Sequence, residues 1–149
     1  MRRPIAALVL TGAVALAVVW EGFRSDAYIP VPGDVPTIGY GTTEGVALGD
    51  TITEPVARQR LSKDMERFKS TLQVCIKVPL HQHEFDAIAS MTYNIGGRAM
   101  CGSTLVRKLN AGDYAGACAQ MSKWVYAGGC KLQGLVNRRA EERRVCEGK

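Results

Sequence analysis

The feature that most constrains this chain is a stretch of seventeen residues, Pro4 to Trp20, without a single charge, lying between Arg2-Arg3 and Glu21. At ~1.5 Å per residue such a run makes about 25 Å of helix, just short of the ~30 Å hydrocarbon core of a bilayer. It is rich in alanine and interrupted by Thr11 and Gly12, so it gains little from lipid. Positive charge ahead of the run predicts a cytoplasmic N-terminus with the rest of the chain exported. Three outcomes fit: a signal peptide cleaved at Ala13-Val14-Ala15 or Ala15-Leu16-Ala17, a permanent anchor, or a helix buried in a soluble domain. Cleavage after Ala17 leaves three residues ahead of Glu21 and removes the helix that would hold it.

Beyond Glu21 the pattern changes. Residues 22–50 are rich in Gly, Pro and Thr, with short β-type pieces at Ala27-Tyr28-Ile29 and Thr37-Ile38-Gly39-Tyr40. Pro32-Gly33-Asp34 between them predicts a hairpin turn. From residue 51 the period is helical. Thr53 is an N-cap, with Glu54 and Pro55 in the first turn, and Ala57, Leu61, Met65, Phe68 and Leu72 form one buried face. Phe85, Ile88, Ala89, Thr92 and Ile95 continue in register to Gly96-Gly97. Ser103 and Asp113 cap two shorter helices, and residues 134–146 read as a last helix dense in arginine. The expected fold is α+β: a small β lobe (about 22–50), a larger helical lobe (about 51–149), and a cleft between them.

One domain of this size can hold a real core. The net charge of +5 favours anionic partners: nucleic acid, acidic lipid, or the carboxylate-bearing cell wall. The five cysteines (Cys75, Cys101, Cys118, Cys130, Cys146) form no Cys-x-x-Cys pair, and neither histidine adjoins one, so zinc-site spacing is absent. Together with an export signal they predict oxidised pairs with at least one thiol left over, in a pairing the sequence leaves open.

Trp20-Glu21-Gly22-Phe23-Arg24 followed by Thr37-Ile38-Gly39-Tyr40-Gly41 resembles the active-site segment of phage-type lysozymes, glycoside hydrolase family 24. Pro79 to Ala87 and Tyr93-Asn94-Ile95-Gly96 are similar to that family's central helix. Ser103-Thr104-Leu105, Trp124 to Gly129, and Gly134-Leu135-x-x-Arg138-Arg139-x-x-Glu142 are similar to its later segments. The resemblance implies a lysozyme-like fold from Trp20 onward. With the apolar run ahead of Glu21, it also implies a signal-anchor-release (SAR) endolysin. Residues 1–20 would form the anchor segment and 21–149 the lysozyme domain. On release Ile5 to Trp20 would become a core helix of the enzyme.

Glycosidic cleavage needs a proton donor at the leaving oxygen and, in most families, a second carboxylate. Glu21 is the expected donor: helix C-terminal carbonyls and shielding by Trp20 would both disfavour its ionisation. The resembled family places an Asp where this chain has Pro30. Asp34, in the turn before Thr37, and Asp26 are the acidic alternatives, with Asp34 favoured. Thr37 matches the family Thr and would help hold the attacking water. Thr42 stands where a His is common, which alters a supporting contact. The Arg138, Arg139, Arg143, Arg144 cluster reads as a solvated helix face partnered by Glu141 and Glu142, with wall-peptide carboxylates or lipid as other partners. Gln82, Tyr93 and Asn94 are candidate sugar contacts.

The resemblance thus implies a monomeric muramidase, with no metal or cofactor. It would hydrolyse the β-1,4 bond between N-acetylmuramic acid and N-acetylglucosamine of peptidoglycan for host-cell lysis. It would first be tethered to the host inner membrane through residues 4–20 on the periplasmic side, then be free in the periplasm. The alternatives are a transglycosylase using Glu21 alone and a non-catalytic, membrane-tethered wall-binding protein. Nucleic-acid binding is disfavoured by the export signal and the lack of a basic-aromatic motif.

Overall fold

In the computed structural model, which describes all 149 residues, the apolar run is folded against the body of the protein. Arg3 pairs with Leu80 by reciprocal backbone hydrogen bonds of 2.8 and 2.9 Å, and Ile5–Ala7 form a 3-10 turn. The helix expected from Ile5 to Trp20 exists only as α1, Thr11–Glu21. The intervening backbone is engaged elsewhere. Lys69 Nζ donates to the Leu8 carbonyl (2.6 Å), and Gln82 bonds both the N–H and the carbonyl of Val9 (3.1 and 2.8 Å). The start of α1 meets the Asp86 carboxylate. Gly12 permits this approach, since a Cβ there would lie 2.2 Å from Asp86 Oδ2. No helix of the structure is long and apolar enough to cross a membrane.

The β lobe is the hairpin of β1 (Arg24–Tyr28) and β2 (Thr37–Gly39), antiparallel, with Arg24 opposite Gly39 and Tyr28 opposite Thr37. Asp34 N–H bonds the Val31 carbonyl (3.1 Å) and closes the predicted turn. The long helix α2 (Glu54–Cys75) starts after Thr53 as its Pro55 dictates, and it buries Ala57, Leu61, Met65 and Leu72. Next come α3 (Gln82–Ile95), the short α4 (Gly97–Cys101), α5 (Thr104–Asn110) and α6 (Tyr114–Gln120). Ser103 and Asp113 cap α5 and α6 by accepting from the N–H groups of Val106 and Gly116. A two-residue hairpin, β3 (Tyr126–Ala127) and β4 (Cys130–Lys131), turns at Gly128-Gly129 before α7 (Gln133–Cys146).

Helix α3 is the axis of the molecule, with Phe85, Ala87, Ile88, Ala89 and Met91 fully buried. Helices α1 and α7 pack on it from two sides and join α2 in one continuous core. Disulfides Cys75–Cys101 and Cys118–Cys146 tie α2 to α4 and α6 to α7, and Cys130 is a free, exposed thiol.

The arginine cluster is not a solvated face. Arg138 and Arg139 are 4% and 1% exposed, and Glu142, between them and α3, is fully buried. Only Arg143 and Arg144 reach the surface, where Arg144 pairs with Glu141 as expected.

Candidate active site

A cleft of about 490 Å³ lies between the hairpin and the helical lobe. Glu21, Asp34 and Thr37 all line it. Asp26 does not: its carboxylate accepts from Ser25 Oγ (3.1 Å), and its strand pairs outward with Thr51. Pro30 stands on the cleft wall beside Tyr28.

Glu21 is the last residue of α1, and the chain turns away at Gly22, whose N–H closes the helix on the Val18 carbonyl. Its Oε1 accepts from Arg138 Nη1 at 2.8 Å. Its Oε2 faces Gly41, where an added Cβ would stand 3.4 Å from it. Gly41 has φ +87, so both its backbone conformation and this approach favour glycine. Trp20 does not cover the carboxyl. It lines a separate hollow against Asn137, Ala140 and Arg144 of α7, and its indole N–H is buried without a partner.

Arg138 reaches Glu21 because α7 holds it rigidly. Its Nε donates to Glu142 Oε1 (2.9 Å) and its Nη2 to the Ser90 carbonyl (3.1 Å). Glu142 is itself held by Ser90 Oγ (2.9 Å) and Arg139 Nη1 (2.7 Å). Arg139 also donates to Asn94 on the cleft wall. Burial pushes the Arg139 guanidinium down, though Glu142 opposes the shift. Two guanidiniums therefore face two carboxylates, and the network ends on Glu21 Oε1, leaving Oε2 without a partner in it.

On the hairpin, Asp34 Oδ1 accepts from the Val35 N–H (2.8 Å), which leaves Oδ2 open. Asp34 is thus both turn former and cleft residue. Thr37 is buried, and its hydroxyl donates to the Val35 carbonyl (3.1 Å), so its remaining capacity is to accept. Of the proposed sugar contacts, Tyr93 and Asn94 line the cleft; Gln82 is spent on Val9 and Asp86 and does not. Burial, reinforced by the charges of Asp64 and Glu21, pushes the Tyr93 phenol well above its ordinary value. It therefore keeps its proton and donates to the Tyr40 carbonyl (2.6 Å).

The sequence reading missed Asp64 and Arg67, which line the cleft from α2 beside Phe68. Asp64 is held up in pKa by burial, against the opposing Arg67 charge and the Thr42 hydroxyl (Oγ1 to Oδ2, 3.2 Å). Thr42, at the position where histidine is common, thus supports this acid. A signal was present: Asp64 directly precedes Met65 of the apolar face, where an acid on a buried seam calls for a partner.

The family model for phage lysozyme matches residues 18–142, more than four-fifths of the chain. The chain belongs to the phage lysozyme family. The SAR-endolysin of Enterobacteria phage P21 is 35% identical, over 98% of this chain and 94% of its own length. Among solved structures, the endolysin from Escherichia coli O157:H7 phage FAHEc1 is similar at TM-score 0.82 and 35% identity, covering 98% of this chain and 96% of that one. The muramidase domain of SpmX from Asticaccaulis excentricus gives TM-score 0.87 at 29% identity, covering 93% of this chain and 97% of that one. The chain is a glycoside hydrolase, a muramidase acting in cell lysis, and its family acts on peptidoglycan. These relatives favour neither the transglycosylase nor the non-catalytic alternative.

Proposed function

We propose that Glu21 is the general acid and that Asp34 and Thr37 deliver the attacking water, in hydrolysis of the β-1,4 bond between N-acetylmuramic acid and N-acetylglucosamine. One observation carries this reading: the end of α1 and the hairpin turn bring these three side chains to one cleft, and leave Asp26 outside it. Arg138 occupies Glu21 Oε1, so the proton that passes to the leaving oxygen sits on Oε2, toward Gly41. Thr37 Oγ1 accepts one hydrogen of the water. The open Oδ2 of Asp34 takes the other as the water oxygen bonds to the anomeric carbon.

Residues 4–20 serve as a tether before release to the periplasm. The uncharged run and the relatives called SAR-endolysins support this. Because α1 carries Glu21, a chain whose run still lies in lipid lacks its acid in the cleft.

Digestion of purified peptidoglycan with product masses tests the chemistry. Glu21→Gln is expected to lose ~10²–10⁴-fold in rate with its fold intact, and Asp34→Ala to lose activity as well. Anhydro-sugar products, or full activity in Asp34→Ala, would reject the water-delivery role. Fractionation of expressing cells tests the tether, which predicts a membrane-bound pool chasing into the soluble periplasm.

A further inference from the structure

Arg67 is the only basic side chain that lines the cleft, against three carboxylates, Glu21, Asp34 and Asp64. Glu21 is answered from behind by Arg138, but only Arg67 presents a cation to the cleft itself, and peptidoglycan is acidic through the free carboxylates of its peptide stems. The fork of Arg67 is already arranged for carboxylates. Positions 64, 67 and 68 share one face of α2 by helical spacing, and Nη2 is fixed by the nearly buried Asp64 Oδ1 at 2.7 Å. Nη1 donates to the Glu44 carboxylate. That second partner is the loose one: the Glu44 and Arg67 side chains are 67% and 55% exposed. An ion pair so exposed contributes little and exchanges readily. The loop under Glu44 is held separately, by Arg60 Nη2 on the Glu44 carbonyl (2.6 Å), so its side chain can swing away without moving the backbone.

We propose that Arg67 is a specificity-determining residue that binds a free carboxylate of the wall peptide, with Glu44 occupying that position until substrate displaces it. Asp64 is the positioning residue that keeps the guanidinium pointed across the cleft. The proposal rests on the reading of the cleft as a peptidoglycan site. It also moves wall-peptide recognition from α7, where two of the four arginines are buried, to α2.

The test uses the full chain on two substrates: native peptidoglycan, and the same material with its carboxylates converted to neutral amides. The readout is the ratio of kcat/KM on native to amidated wall. A charged hydrogen bond of the usual strength corresponds to roughly ten- to a hundredfold. Wild type is expected to show a ratio of that size, arising in KM. Arg67→Ala should bring it near one, Arg67→Lys should restore part, and Glu44→Gln should raise it above wild type. If Arg67→Ala does not fold, the Lys and Gln variants still decide the matter. A wild-type ratio near one, or a ratio that none of the variants moves, overturns the proposal while leaving the hydrolase reading intact. Wild type cutting neither substrate defeats the hydrolase reading itself.

Discussion

Helices α1 and α7 flank the same central helix by opposite chemical means, and both reach the acid of the site, α1 by carrying Glu21 and α7 through Arg138. α1 has no charge before Glu21 and packs through Ala13 and Ala17, both fully buried. α7 is dense in charge and packs through Arg138, Arg139 and Glu142. Small apolar contacts are non-directional at the level of single atoms: Ala13 and Ala17 set which face of α1 meets α3, but they do not aim a side chain. The ionic network is directional, and fixes Arg138 to within hydrogen-bond geometry of Glu21. The comparison separates what brings the acid to the cleft from what aims it.

The largest effect should come from breaking the directional side. Glu142→Ala leaves two buried guanidiniums short of a partner and is expected to lower unfolding free energy by about 3–5 kcal/mol in urea titration. Activity should fall too, since Arg138 loses one of its anchors. A smaller effect is expected on the apolar side. Ala17→Leu forces bulk into a filled contact and should cost about 1–3 kcal/mol. If the two variants prove equal, the contrast between the helices is wrong.

The smallest effect concerns the N-terminal clasp. Burial alone would raise the Glu84 pKa. Hydrogen bonds from Arg2 and the His81 N–H, with the Arg2 charge, outweigh it and hold the carboxyl below the usual range. A folded pKa below the unfolded one means stability that is present above the unfolded value and lost as pH falls through the folded one. Thermal midpoints measured from pH 6 downward should therefore decline more steeply below about 4.5 in wild type than in Glu84→Gln. Parallel curves would remove Glu84 from the account.

Much of this was legible in sequence because it depends on local rules. The α2 boundary follows from Thr53 and Pro55, the caps of α5 and α6 from Ser103 and Asp113, and the hairpin from its Pro-Gly-Asp turn. The failures share one cause: a long-range partner overrode a local pattern. The first turns of the expected N-terminal helix gave way because Lys69 and Gln82 take the backbone of Leu8 and Val9. The α7 arginines looked solvated because i, i+3 and i, i+4 charge spacing is the same whether the pair faces water or core. Trp20 was expected over Glu21 because they are neighbours in sequence. A helix sends neighbours about 100° apart, and Trp20 went to α7.

That rotation has a consequence for how such a chain can vary. With Glu21 as the final residue of α1 and Ala13 and Ala17 seated against α3, the helix works as an indexed shaft. One residue added between Ala17 and Glu21 would turn the carboxyl by about 100° and advance it ~1.5 Å, off Arg138 and out of the cleft. The same residue added ahead of Thr11 would leave the aim of the carboxyl alone and fall instead on the contacts of Leu8 and Val9 with Lys69 and Gln82. A change of length at the entrance of this segment is therefore a matter of stability, while in its last turn it is a matter of the acid's position.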